Sequence, residues 1–253
     1  TYNFMYNEQV MPKVKHPFYI GVNAELAGSL LALSNIGNTR TNGQPFQIFG
    51  VNYAQFARLE VDVRKYFKFD RRERRYIATR FLAGWGLPFG NSGVMPYIRQ
   101  FFSGGAYSVR GFPSFSLGPG KYYPPDSLRS GFYLQQGGEI KLEANVEYRF
   151  SFSRIFKGAF FADGGNTWLN SPNAELPGAE FNFSDFYKNT AVGVGFGLRL
   201  DVQFFVLRLD LGMPVRKPWF PDGQQWRFNA IDFGSPAWRR ENLVLSLAFG
   251  YPF

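Results

Sequence analysis

The chain has 253 residues, 45% of them hydrophobic, with a formal net charge of +9, one His and no Cys. Without cysteine there is no disulfide, no thiolate metal site and no cysteine nucleophile, and a lone His16 in a turn beside Pro17 makes no ligand cluster. The basic residues are scattered through turns and alternate strand positions instead of forming a stripe, which argues against nucleic acid as a partner, and no apolar run is long enough for a membrane-spanning helix.

The aromatic share of 19%, carried by 30 Phe, 14 Tyr and 5 Trp beside 28 Gly, suits strands against an apolar surface more than a helical bundle. In chain order the first strand is expected at residues 2–6, followed by one at 18–26. In the third, Leu59, Val61 and Val63 alternate with Arg58, Glu60, Asp62 and Arg64. A fourth is expected at 76–89. Over 140–150, Leu142, Ala144, Val146, Tyr148 and Phe150 face one way, and Lys141, Glu143, Asn145, Glu147 and Arg149 the other. A strand at 158–163 follows. Over 190–204, Val192, Val194, Phe196, Leu198 and Leu200 oppose Gly193, Gly195, Gly197, Arg199 and Asp201. The next, 205–213, sets Leu207, Leu209 and Leu211 against Arg208 and Asp210. In the last, 241–253, Leu243, Leu245, Leu247, Phe249, Tyr251 and Phe253 are expected to share a face. This is period-two alternation over about nine strands.

The connections alternate in length. Short ones are expected near 10–17, 70–75, 151–157 and 203, and long ones over 29–55, 90–138, 168–189 and 214–240. Short turns at one end and long loops at the other are the habit of transmembrane β-barrels. A soluble antiparallel barrel would also alternate, with its polar face outward. The run Asp70, Arg71, Arg72, Glu73, Arg74, Arg75 reads as a periplasmic turn that meets lipid phosphates or is simply solvated. Trp219, Phe220 and Trp226 in the last long loop suit an interfacial belt or a cover over the loops. About nine strands is an odd number with two unpaired edges, which lipid does not tolerate, so further strands are expected before Thr1. The absence of a signal peptide fits that expectation.

The longest loop contains Phe101, Phe102, Ser103, Gly104 and Gly105, then Val109, Arg110, Gly111 and Phe112. Here the chain resembles the BamA/TamA superfamily, whose members fold or export proteins through the outer membrane and carry a Val-Arg-Gly-Phe/Tyr motif in a loop tucked into the barrel lumen. The resemblance continues in order through the strand at 142–150, through Phe161, Asp163, Gly165 and Trp168, and through Gly193, Gly195, Gly197 and Arg199 to a terminal aromatic, Phe253. It implies an all-β transmembrane antiparallel barrel of about sixteen strands. Residues 1–253 would be the C-terminal part of that single barrel domain, with the N-terminal strands and periplasmic repeats outside the chain. The run 208–214 and the Phe-Phe-Ser-Gly-Gly lead-in lean toward the TamA-like lipoprotein branch of Bacteroidota.

An Arg110 folded into a lumen needs a partner, because a desolvated unpaired charge is costly. By alternation Glu147 and Asp163 point inward on adjacent strands, and the resemblance makes them the loop-clasp partners of that arginine; the alternative is a solvated loop arginine. Gly111 is expected to need positive φ or close approach to the wall, and Gly193, Gly195 and Gly197 would leave room for the loop. The carboxylates all read as strand-face residues, and no triad or phosphate-binding loop is present, so no enzyme activity, cofactor or metal is expected. The resemblance implies instead an assembly factor that inserts barrel proteins through a lateral seam at its terminal strand, weakened by Gly250 and Pro252 and ending at Phe253. Implied partners are outer-membrane lipids and lipopolysaccharide, unfolded outer-membrane protein substrates, and accessory lipoproteins or an inner-membrane partner. The alternatives are a two-partner-secretion export pore and a purely structural barrel.

Overall fold

The computed structural model describes residues 1–11, 14–34, 38–39, 45–69, 74–125, 137–202 and 204–253. Nine antiparallel strands form one sheet in the order β1 (Tyr2–Asn7), β2 (Phe18–Ala27), β6 (Phe56–Lys68), β7 (Arg75–Pro88), β8 (Ile140–Ser151), β9 (Phe156–Trp168), β10 (Ala191–Asp201), β11 (Val206–Arg216) and β12 (Val244–Phe249). The skipped numbers are the two-residue strands β3 (Asn38–Thr39), β4 (Gln47–Ile48) and β5 (Val51–Asn52), which pair with one another in the loop between β2 and β6. Apart from β3–β5, inserted between β2 and β6, the strands of the main sheet follow one another in sequence, a meander in which short turns fix the register of every second pair. Short links and long loops alternate as expected. Of the basic run, residues 70–73 lie outside the described residues, and Arg75 opens β7.

The two faces of the sheet invert the ordinary rule of burial. Phe160 (59% exposed), Leu198 and Leu245 (67%) stand out from one face, while Glu147 (0%), Arg199 (1%) and Asp210 on the other are buried. A soluble barrel would expose the charges and hide the aromatics. An apolar outer wall around a polar interior is the arrangement of a transmembrane barrel.

The end of the chain departs from the sequence expectation. Residues Pro236–Asn242 form helix α2, so Glu241 is helical and the last strand is only six residues long. The first helix, α1, is Ser29–Ser34. Ser235 caps α2, its Oγ accepting from the Trp238 N–H at 3.3 Å, and Pro236 sits in the first turn, where a missing N–H costs nothing. Gly250 then takes φ +79°, a conformation open to glycine and strained for other residues, and the chain turns off the wall. Leu245, Leu247 and Phe249 face outward, but Tyr251 and Phe253 do not continue that face. Phe253 is buried inside against Tyr66, Ala78 and Tyr76.

Candidate functional site

The described residues between β7 and β8 fold back on themselves through isolated bridges from Phe101 to Gly138 and from Ser103 to Leu117, and residues 103–112 contact the inner face of the sheet. This loop carries a small core of its own. Val109, Phe112 and Leu117 pack with Ala191 of β10, and Trp219 closes over them edge-on to Phe112, with ring centroids 6.1 Å apart. Tyr123 stacks on the same indole at 4.4 Å. Trp219 therefore covers the loop, whereas Trp226 stacks on Phe228 and is half exposed.

This apolar packing leaves Arg110 aimed at the sheet, with 1% of its surface exposed. Its Nε and Nη2 donate to Asp163 at 2.8 and 2.9 Å, a two-pronged pairing that suits the planar guanidinium. Its backbone N–H donates to the same carboxylate at 3.1 Å, and Nη1 donates to Glu147. The guanidinium also lies 3.8 Å above the Phe161 ring. Register explains the convergence: on β8 and β9, Asn145 is opposite Asp163 and Glu147 opposite Phe161, so both carboxylates flank one spot. Asn145 Nδ2 ties that spot to the loop, donating to Asp163 at 2.9 Å and to the Ser108 carbonyl at 3.0 Å.

Around this pair the inner wall extends the network. Glu147 also accepts from Arg149 Nε at 2.7 Å and Arg199 Nη2 at 3.1 Å. Arg199 Nη1 donates to Asp210 at 2.8 Å, and Arg208 lies 3.2 Å from the other Asp210 oxygen while donating to the Ala106 carbonyl at 2.8 Å. Buried arginines thus share acceptors, so that removing one carboxylate strands several cations. Strand parity puts Arg149, Arg199, Arg208 and Asp210 on the inner face. Their height along the wall, and hence their membership of this cluster, depends on a register that the sequence does not print.

The loop backbone approaches the wall where side chains are missing. A Cβ on Gly111 would stand 2.7 Å from the Met213 carbonyl oxygen and 2.8 Å from the Gly193 Cα; one on Gly193 would meet Gly111 at 2.8 Å. Gly212 faces the Arg110 carbonyl and Gly111 in the same way. Gly111 is not among the positive-φ residues, so its role is close approach. Gly195 and Gly197 make space for other groups, namely the Phe161 ring beside Gly195 and the Asp210 and Arg199 side chains beside Gly197.

The remaining sequence-selected residues, Gly250 and Phe253, sit at the end of β12 and connect to the same network. Arg149, bound to Glu147, donates from Nη2 to the Phe253 carbonyl at 3.2 Å, and its guanidinium lies 4.7 Å from the Tyr251 ring. A second link comes from the loop itself: the Tyr107 hydroxyl donates to the Phe249 carbonyl.

The inward-folded loop is thus pinned by one arginine to two adjacent strands. The Omp85 superfamily domain matches residues 31–231, most of the chain. The chain belongs to the Omp85 superfamily. Its fold is similar to that of BamA from Haemophilus ducreyi lacking POTRA domains 1-3, at a TM-score of 0.52 and 14% identity, over 98% of this chain and 53% of that one. A looser match, with a TM-score of 0.37 and 11% identity, is to CdiB from Acinetobacter baumannii, over 98% of this chain and 46% of that one. This Omp85 chain therefore spans about half the length of the BamA structure that it matches.

Proposed function

We propose that this Omp85 chain is part of an outer-membrane assembly factor that promotes insertion of other β-barrels, using the edge of β12 as the place where a substrate strand adds. The observation that carries the reading is the contrast within one wall. The loop is fastened to β8 and β9 by buried charge pairs, while β12 makes only six register pairs and is diverted inward at Gly250. An edge strand offers unpaired N–H and C=O groups, and main-chain pairing to such an edge needs no particular substrate side chain.

In this reading Arg110, Glu147 and Asp163 hold the loop as a fixed inner support, and Val109 and Phe112 seat it. Gly250 and the Phe253 tail keep the last strand short. The rest of the barrel and its periplasmic repeats would precede residue 1 in the full-length protein. The work is catalysis of folding and makes or breaks no covalent bond. The partners would be unfolded outer-membrane proteins, and the outward face of Phe160, Leu198 and Leu245 would meet lipid and lipopolysaccharide.

A secretion pore of the same superfamily is the competing role; the loop held against the inner face by Arg110 favours the assembly reading, because it would narrow a resting channel. The test uses the full-length protein in liposomes presented with an urea-unfolded outer-membrane barrel. Faster appearance of the folded, heat-modifiable substrate than in empty liposomes is expected, with the Arg110→Ala protein slower. Large steady conductance across planar bilayers with no acceleration of folding would replace the reading with that of a pore.

A further inference from the structure

The loop does more than rest on the wall, because one of its side chains reaches the sheet edge. The Gly250 N–H donates to the Val206 carbonyl of β11 at 2.7 Å. Within one trans peptide plane the carbonyl and the N–H point in opposite directions, so the Phe249 carbonyl, in the same plane as that N–H, points away from β11 toward the open edge of β12. That edge carbonyl is the acceptor of the Tyr107 hydroxyl, 142 residues away in sequence.

Tyr107 is held for this contact from three sides. Its own carbonyl accepts from Arg80 Nη1 of β7 at 3.1 Å. The Arg208 guanidinium lies 5.0 Å from its ring, and the same arginine donates to the Ala106 carbonyl. Three residues further on, Arg110 anchors the loop to Asp163 and Glu147. The ring itself is 51% exposed, so its hydroxyl can leave the carbonyl without unpacking a core.

We infer that Tyr107 is a seam residue. Its hydroxyl occupies the edge acceptor of Phe249, so another strand, from the barrel or from a substrate, competes with it in pairing with β12 at that level. A strand N–H and the phenol compete for one carbonyl, so the loop clasp and the readiness of the edge are linked through the two residues, Ser108 and Val109, between Tyr107 and Arg110. The inference rests on the reading of the β12 edge as the site of strand addition. Tyr107 touches the reacting edge and acts by competition, whereas Arg110 acts on it only by positioning the loop.

These 253 residues contain no cysteine, and any cysteine elsewhere in the full-length protein is replaced or blocked before the test. The full-length protein carrying Leu247→Cys, on the outward edge, is mixed in detergent micelles and in liposomes with a synthetic alternating apolar–polar peptide of about ten residues, the span of a transmembrane strand, bearing one central cysteine. Disulfide capture is followed in time with Tyr107 intact, with Tyr107→Phe and with Tyr107→Ala. Losing one hydrogen bond at the edge is expected to raise the capture rate about threefold to tenfold in Tyr107→Phe, with Tyr107→Ala similar and heat-modifiable mobility unchanged. Equal capture rates with Tyr107 present or replaced by Phe would overturn the inference and leave the edge reading standing. Failure of every folded variant to capture peptide would overturn the edge reading, and this inference with it.

Discussion

The β8–β9 pair and the β11–β12 pair belong to one sheet and are built to opposite ends. The first joins strands of twelve and thirteen residues in unbroken register and carries both carboxylates that hold Arg110. The second joins an eleven-residue strand to one of six, which ends where Gly250 turns the chain inward. Backbone pairing is long from β6 through β9, where the loop is clasped, and falls to six register pairs at β11–β12, as at β1–β2. In the proposed role, a barrel that stays folded while admitting another strand needs both properties, and one strand, β10, separates the two pairs.

The largest effect is expected from breaking the strong side. Arg110→Ala leaves Asp163 and Glu147 buried with their loop partner gone, and loss of one member of a buried pair costs about 3–5 kcal/mol. It should appear as a lower urea midpoint for loss of heat-modifiable mobility; a midpoint unchanged within error would mean that the clasp contributes nothing to stability. Arg110→Glu with Asp163→Arg should recover part of that loss, and a double variant no better than Arg110→Glu alone would count against direct pairing.

Next in size is the glycine seat. Gly193→Ala puts a methyl group 2.8 Å from the Gly111 backbone, and such overpacking costs about 1–3 kcal/mol. The loop should lift and become cleavable by added protease, with the sheet intact. Resistance equal to that of the unmodified protein would show that the wall yields instead.

On the weak side, Gly250→Ala forces a side chain into φ +79°, at a cost of about 1–2 kcal/mol. The tail should swing out, and a cysteine replacing Phe253 should react faster with an aqueous maleimide. An unaltered rate would indicate that the Arg149 bond to the Phe253 carbonyl holds the tail without help from the kink.

The smallest effect is expected at the other edge, in the turn from β1 to β2. The Phe18 N–H and the Tyr6 hydroxyl, both at 2.9 Å, hold the Glu8 carboxyl below its usual range. A depressed carboxylate stabilises the fold above its unfolded pKa and loses that contribution as pH falls through its folded value. Exchange at the Phe18 amide should therefore rise, relative to its intrinsic rate, only on acidification. An acid-independent ratio would remove Glu8 from the turn.

Much of the wall was legible because alternation is fixed by the difference between an apolar exterior and a polar lumen. Residues 140–150 read correctly for that reason, and so did the inward placement of Glu147 and Asp163. The end of the chain was misread where local chemistry overrides period two. Ser235 and Pro236 announce a helix, and Gly250 reverses the faces of Tyr251 and Phe253. Parity assigns a residue to a face without giving its height, so Arg149, Arg199, Arg208 and Asp210 could not be joined to the clasp before the register was known. The bond from Tyr107 to Phe249 links a loop to a strand edge across most of the chain, and no local pattern encodes it.

Amide exchange of the full-length protein in lipid bilayers, compared between β9 and β12 with and without an unfolded barrel substrate, tests the division of labour most directly. Exchange along β9 should be slow in both conditions. The edge-facing amides of Leu245, Leu247 and Phe249 should exchange fast alone and slow when substrate is added. Equal protection of β9 and β12 without substrate, and no change at β12 with it, would rule out β12 as the place where a substrate strand adds.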